Sequence, residues 1–147
     1  MDIFEMAVMR YVTTDQSTLV VPQYDLNDSW ASFDFLGIKE KSQRIYIIEV
    51  TSAANIKSLV SKVQEMFEQG KHIARLKQQL DAECPGRYEG WATLVAVFIR
   101  DGKREEFKRS LPDERKAQIP AFALEKCVFP WEYWGRVKDK GWDAVPD

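Results

Sequence analysis

The chain has 147 residues, 45% hydrophobic and 12% aromatic, with a formal net charge of −2; that fits one ordinary domain with a real core and excludes the disordered and low-complexity classes. No apolar run approaches the ~20 residues of a membrane span, and the acidic start MDIFEMAVMR lacks the basic region of a secretory signal. Cys84 and Cys127 stand far apart without metal-ligand spacing, so the expectation is a cytoplasmic single domain over residues 1–147 with two free thiols.

Charge is unevenly spread: residues 1–55 carry four bases against eight acids, and the remainder 17 bases against 15 acids. In DIFEMAVMRYV the apolar residues Ile3, Phe4, Ala7, Val8 and Tyr11 recur at helical spacing behind a capping Asp2, which predicts a helix over 2–13. With Met6 and Met9 that helix is apolar nearly all round, so Glu5 on it calls for an explanation. STLVVPQYDL predicts a strand whose Pro22 marks an edge or a bulge, and NDS a turn. WASFDFLGI and RIYIIEVTS, joined by KEKSQ, predict a hairpin.

Beyond TSAAN, apolar positions from Ile56 to Leu80 follow one helical face, predicting a long helix with a break at Gly70 and a stop at CPG. WATLVAVFIR is an almost unbroken apolar run, as in a strand covered on both faces. Residues 100–118, with seven bases and five acids, predict a solvated loop or short helix, and AFALEK another short helix. The tail carries Phe129, Trp131, Tyr133, Trp134 and Trp142, a cluster suited to stacking on bases, sealing a homodimer or docking on the domain's own core. The predicted fold class is α/β: a mixed sheet with an αβββαβ core over residues 2–100, helices against one face, and a C-terminal extension over 101–147.

The hairpin holds the chemistry. Symmetry about Lys41 and Ser42 pairs Lys39 with Arg44, Leu36 with Ile47, Asp34 with Glu49 and Ser32 with Thr51. Two carboxylates directly opposite repel each other and lose hydration, a cost that a hard divalent cation would reverse. A metal site is one reading; the other is a buried ion pair of Glu49 with Arg10 or with a lysine of the long helix.

This pattern resembles the PD-(D/E)xK nuclease superfamily, the restriction-endonuclease-like fold, whose signature is an acid on the second strand and E-x-K on the third. The matching positions are Asp34 in FDFLGI and Glu49-Val50-Thr51 in IIEVTS, with 14 residues between the acids. The resemblance implies a Mg²⁺ (or Mn²⁺) ion held by Asp34, Glu49 and the Val50 carbonyl, with assistance from Glu5. It implies DNA phosphodiester hydrolysis, dimers, and a setting in phage or mobile-element defence or in repair. Thr51 stands where the motif has lysine, and a hydroxyl supplies no positive charge. Lys57 is the first candidate for a migrated lysine and Lys62 the second. The other outcome is a catalytically inactive module of the same fold, acting in protein binding or assembly. His72, the only histidine, excludes multi-histidine metal sites; with Lys71, Arg75 and Lys77 it forms a basic face suited to phosphate or simply to solvent.

Overall fold

The computed structural model describes residues 1–27, 31–128 and 134–144. In chain order the elements are helix α1 (Ile3–Val12), strands β1 (Thr18–Asp25), β2 (Ser32–Lys39) and β3 (Arg44–Val50), helices α2 (Lys57–Met66) and α3 (His72–Glu83), and strand β4 (Ala92–Ile99). Helices α4 (Arg104–Arg109) and α5 (Asp113–Lys116), strand β5 (Ala121–Ala123), and helices α6 (Leu124–Val128) and α7 (Trp134–Lys140) follow. The five strands form one sheet in the order β1-β2-β3-β4-β5. β1, β2 and β3 are antiparallel, whereas β4 runs parallel to β3 and β5 parallel to β4. This is the mixed α/β sheet with the αβββαβ core that the element order predicts.

Alternation along the central strands builds two cores. Ile45 and Ile47 of β3, with Val95, Val97 and Ile99 of β4, pack under Val63 and Met66 of α2 and Leu76 and Leu80 of α3. Tyr46 and Ile48, with Ala96 and Phe98, pack on the other face under Val8, Tyr11 and Val12 of α1 and under Leu124, Cys127 and Trp142. Helices therefore cover both faces rather than one, which explains why both strands read as continuous apolar runs.

Three further expectations are corrected and one is met. α1 is amphipathic, with Ile3 74% and Met6 59% exposed, because its Val8–Tyr11–Val12 stripe is buried on the sheet while Phe4, Ala7 and Met9 are only partly covered. The break expected at Gly70 is present and divides the run into α2 and α3: Gly70 takes a left-handed φ of +73°, a conformation glycine adopts without steric cost and a helix cannot continue through. The charged segment after residue 100 is not merely solvated: Phe107 and Leu111 are buried. AFALEK divides into a strand and a helix, with Ala121, Phe122 and Ala123 pairing with Val97, Phe98 and Ile99 before α6 begins.

The C-terminal segment is fastened by one aromatic. Trp142 is fully buried, 4.8 Å from the Tyr46 ring and 5.3 Å from the Phe122 ring between centroids, and its indole N–H donates to Thr18 Oγ1 at 3.1 Å. The next residue, Asp143, accepts from Lys39 Nζ and from the Tyr46 hydroxyl (2.6 Å), with Arg44 Nη1 3.6 Å away. One carboxylate thus offsets the like-charged Lys39–Arg44 pair that the hairpin register creates. Burial alone would raise the Asp143 pKa, but donation by Lys39 and Tyr46 outweighs it and holds the group below its ordinary value. Phe129, Trp131 and Tyr133 lie outside the described residues.

Trp142→Ala is expected to lower unfolding stability by about 3–5 kcal/mol, measured by urea denaturation. A loss below about 1 kcal/mol would show that the C-terminal segment is not part of the cooperative core.

Candidate functional site

The hairpin has the register that its symmetry predicts, from Lys39↔Arg44 through Leu36↔Ile47 to Phe35↔Ile48. There the ladder stops. The expected Asp34–Glu49 and Ser32–Thr51 pairs are not formed: β3 ends at Val50, and Ser32 keeps its pairing with Asp25 of β1 on the other side of β2. The β1–β2 ladder also skips the residue opposite Asp34, Gln23, whose φ is +50°. Around Asp34 the alternation of β2 breaks as well, because Phe33 and Leu36, three apart, both join the α2/α3 core. The Asp34 carboxylate takes up the loose end, its Oδ2 accepting the Val50 main-chain N–H at 2.8 Å.

Glu49 continues the Ile45–Ile47 face of β3 and is 3% exposed. Lys62 Nζ of α2 stands 3.0 Å from its Oε1, close enough for an ion pair. Oε1 is buried, and its contact with Lys62 is an ion pair without the alignment of a good hydrogen bond. Burial pushes the Glu49 carboxyl up to about 8; Lys62 pulls it down, and the neighbouring Asp34 charge pushes it further up. Asp34, Glu49 and Lys62 are thus electrostatically one group, a pair of acids with one cation.

The other predicted residues lie elsewhere. Glu5 closes a capping box, its Oε2 accepting the Asp2 N–H at 2.9 Å while Asp2 Oδ1 accepts the Glu5 N–H at 2.8 Å. A helix cap, not burial, accounts for that acid. α1 packs on the sheet face opposite the one Glu49 shares with Ile45 and Ile47. Thr51 donates its N–H to the Phe98 carbonyl at 3.0 Å, and its Oγ1 accepts from Ala53 N–H at 3.1 Å, so the hydroxyl is used in a local turn. Lys57 is exposed at the start of α2.

Of the two lysines, Lys62 reaches the acid. The pattern of α2 carries the reason: Leu59, Lys62 and Met66 are spaced i, i+3, i+7, so Lys62 edges the stripe facing the sheet, whereas Lys57 falls on the opposite side. The basic face is solvated at Lys71, Arg75 and Lys77, whereas His72 is half-buried. Its ring lies 6.2 Å from that of Phe33, its Nδ1 is buried without a partner, and burial lowers its pKa. Among the described residues no group of three or more His, Cys, Asp or Glu side chains gathers, so any cation here would rest on two carboxylates and main-chain oxygens.

No family model matches the chain, and no curated protein matches it. Among solved structures it is similar to the small subunit of the heterodimeric restriction endonuclease R.BspD6I, with 15% identity and a TM-score of 0.49 over 94% of this chain and 69% of that one. A likeness of this size carries no functional inference. Among the described residues no helix is long and apolar enough to cross a membrane.

The raised Glu49 pKa has a sign. Between its ordinary 4.5 and about 8 the unfolded chain has released a proton that the folded chain still holds, so this group lowers stability progressively as pH rises through that window. Glu49→Gln removes the penalty. Its melting temperature should match wild type near pH 5 and exceed it near pH 9; a difference independent of pH would show that Glu49 is ionised in the fold at neutral pH.

Proposed function

We propose that the protein is a metal-dependent nuclease of the PD-(D/E)xK type, hydrolysing DNA phosphodiester bonds, with its lysine supplied by α2 instead of β3. The observation that carries this reading is the convergence of Asp34, Glu49 and Lys62 at one end of the β2–β3 hairpin. The residues fit a hard divalent cation: Glu49 Oε1 is a buried oxygen without a hydrogen bond, and only one Asp34 oxygen is used by Val50 N–H. Mg²⁺ characteristically rests on one or two carboxylates and completes its shell with water and substrate phosphate oxygens.

Asp34, Glu49 and the Val50 carbonyl would hold the ion; when bound, it supplies Lewis-acid polarisation of the phosphate and a water of lowered pKa. The chain's own contributions are separable. Asp34 pins the end of β3 through Val50 N–H, which fixes where the neighbouring carbonyl and Glu49 stand. Glu49 gives up its proton to become a ligand, and Lys62 beside it favours that ionised form. Lys62 also brings the one positive charge that Thr51 cannot, within reach of an attacking water or a phosphate oxygen. Lys57 and Glu5 have no part in this version.

The second reading, a nuclease-fold module without catalysis, is favoured by the same lysine, since Lys62 already balances Glu49 while the Thr51 hydroxyl oxygen accepts from Ala53 N–H. The experiment that separates the two is calorimetric titration with Mg²⁺ or Mn²⁺, followed by metal-dependent nicking of plasmid DNA. Wild type should show metal heat that Asp34→Ala abolishes. Lys62→Ala should lose about a hundredfold or more of the nicking rate, with Lys57→Ala near wild type. Metal heat without nicking leaves the inactive module standing, and absence of heat in wild type ends the metal reading altogether.

A further inference from the structure

Glu49 lies near the end of β3; at its start, the loop from α3 to β4 borders a cleft of about 780 Å³. Ile45 of β3 and Leu80 of α3 line its floor, with Thr93, the register partner of Ile45, beside them. Thr93 continues the face of β4 that Val95 and Val97 turn toward α2 and α3, and its Oγ1 is buried without a hydrogen-bond partner. A hydroxyl hidden from water and left unmatched is a standing cost that a ligand with a donor would relieve. One wall is made by Tyr88 and Trp91, both half-buried, their rings 5.0 Å apart between centroids and inclined at 83°. Two rings at that angle form a corner rather than a stack.

The charges at the mouth say what kind of ligand fits. Two acids, Asp81 of α3 and Glu89 of the loop, stand against one base, Lys77, so the rim has an excess negative charge. Asp81 gives one oxygen to the Gly86 N–H at 3.1 Å and keeps the other. We propose that this cleft binds a guanidinium group, sheltered by the Tyr88–Trp91 corner while Asp81, Glu89 and Thr93 Oγ1 accept its N–H bonds. Carboxylates make charge-assisted bonds to such a cation, aromatic faces attract it, and its flat fork serves both at once. The chain shows the same preference on itself, since the Arg87 guanidinium lies 5.9 Å from the Tyr88 ring centroid. A phosphate or a nucleotide would meet charge of its own sign at the rim. Access to Thr93 comes from the loop: Gly86 and Gly90 hold φ of +74° and +79°, with nothing within 4 Å of where a Cβ would stand. Between them only the exposed Arg87–Glu40 pair ties the loop to the β2–β3 turn, a weak tether that lets it part from the floor. The proposal stands independently of the nuclease reading, since the cleft uses neither Asp34, Glu49 nor Lys62.

The test is titration of the full chain, by calorimetry and tryptophan fluorescence, with n-propylguanidinium, a blocked Gly-Arg-Gly peptide and adenosine monophosphate. Propylguanidinium should bind saturably with a dissociation constant of roughly millimolar order, as suits so small a probe, and adenosine monophosphate should not bind. Tighter binding of the peptide assigns the guanidinium to an arginine of a protein partner, and equal binding assigns it to a free small molecule. Trp91→Phe should remove the fluorescence change. Asp81→Asn, which keeps the oxygen that accepts Gly86 N–H, should weaken binding about tenfold or more. Thr93→Val should weaken it about threefold while leaving the melting temperature at or above that of wild type, because an unmatched hydroxyl is removed. Absence of saturable binding by both guanidinium probes overturns the proposal. So does binding that Asp81→Asn and Thr93→Val leave unchanged, or a cleft that prefers adenosine monophosphate.

Discussion

The bond from Val50 N–H to the Asp34 carboxylate decides where the β2–β3 ladder ends. Up to Phe35↔Ile48 the two strands exchange main-chain bonds; one step further a side chain takes over as acceptor. Without it the last residues of β3 would have a loose inner edge, held on the outer side by β4 through Glu49↔Val97 and Val50↔Phe98. With it, Glu49 is fixed at the rim of the core between a packed isoleucine face and solvent. The burial of Glu49, its unbonded oxygen and its ion pair with Lys62 all descend from that placement. A carboxylate is suited to the task because it can accept a main-chain proton with one oxygen and keep the other available.

The opposite end of the hairpin shows how the same fold treats a charge it uses only for architecture. Lys39 is as buried as a lysine is tolerated to be, 8% exposed, but it donates to Asp143, which also takes the Tyr46 hydroxyl. Every charge there has an aligned partner. At Glu49 the nearest cation is misaligned and the carboxyl is pushed toward its neutral form. The charges at one end of the hairpin are thus satisfied, and at the other a buried carboxyl keeps a raised pKa.

Much of this could be read from the residues, and the misses have physical reasons. The hairpin register followed from a short polar turn between two apolar runs, and Pro22 did mark an edge strand. The ion pair of Glu49 with a lysine of the long helix was one of the two readings the sequence allowed, and the stripe Leu59–Met66 selects Lys62, the second candidate, over Lys57. Glu5 misled because its helix is apolar in composition, while its partner Asp2, three residues earlier, is the ordinary mark of a capping box. β5 was illegible: three residues of alanine and phenylalanine have no period, and only the parallel ladder with Val97, Phe98 and Ile99 makes them a strand. Asp143, 104 residues from Lys39 and 97 from Tyr46, and Trp142 beside it carry no local signal at all.

The rims of the sheet bear on how copies of this chain can meet. One outer strand, β1, contains a proline without an amide hydrogen, followed by Gln23 in a left-handed conformation that throws the strand out of line. The other, β5, is three residues long and all of it is buried. Neither offers a straight row of unused main-chain donors and acceptors, so joining sheets edge to edge, the usual route to runaway fibrillar association, is discouraged at both borders.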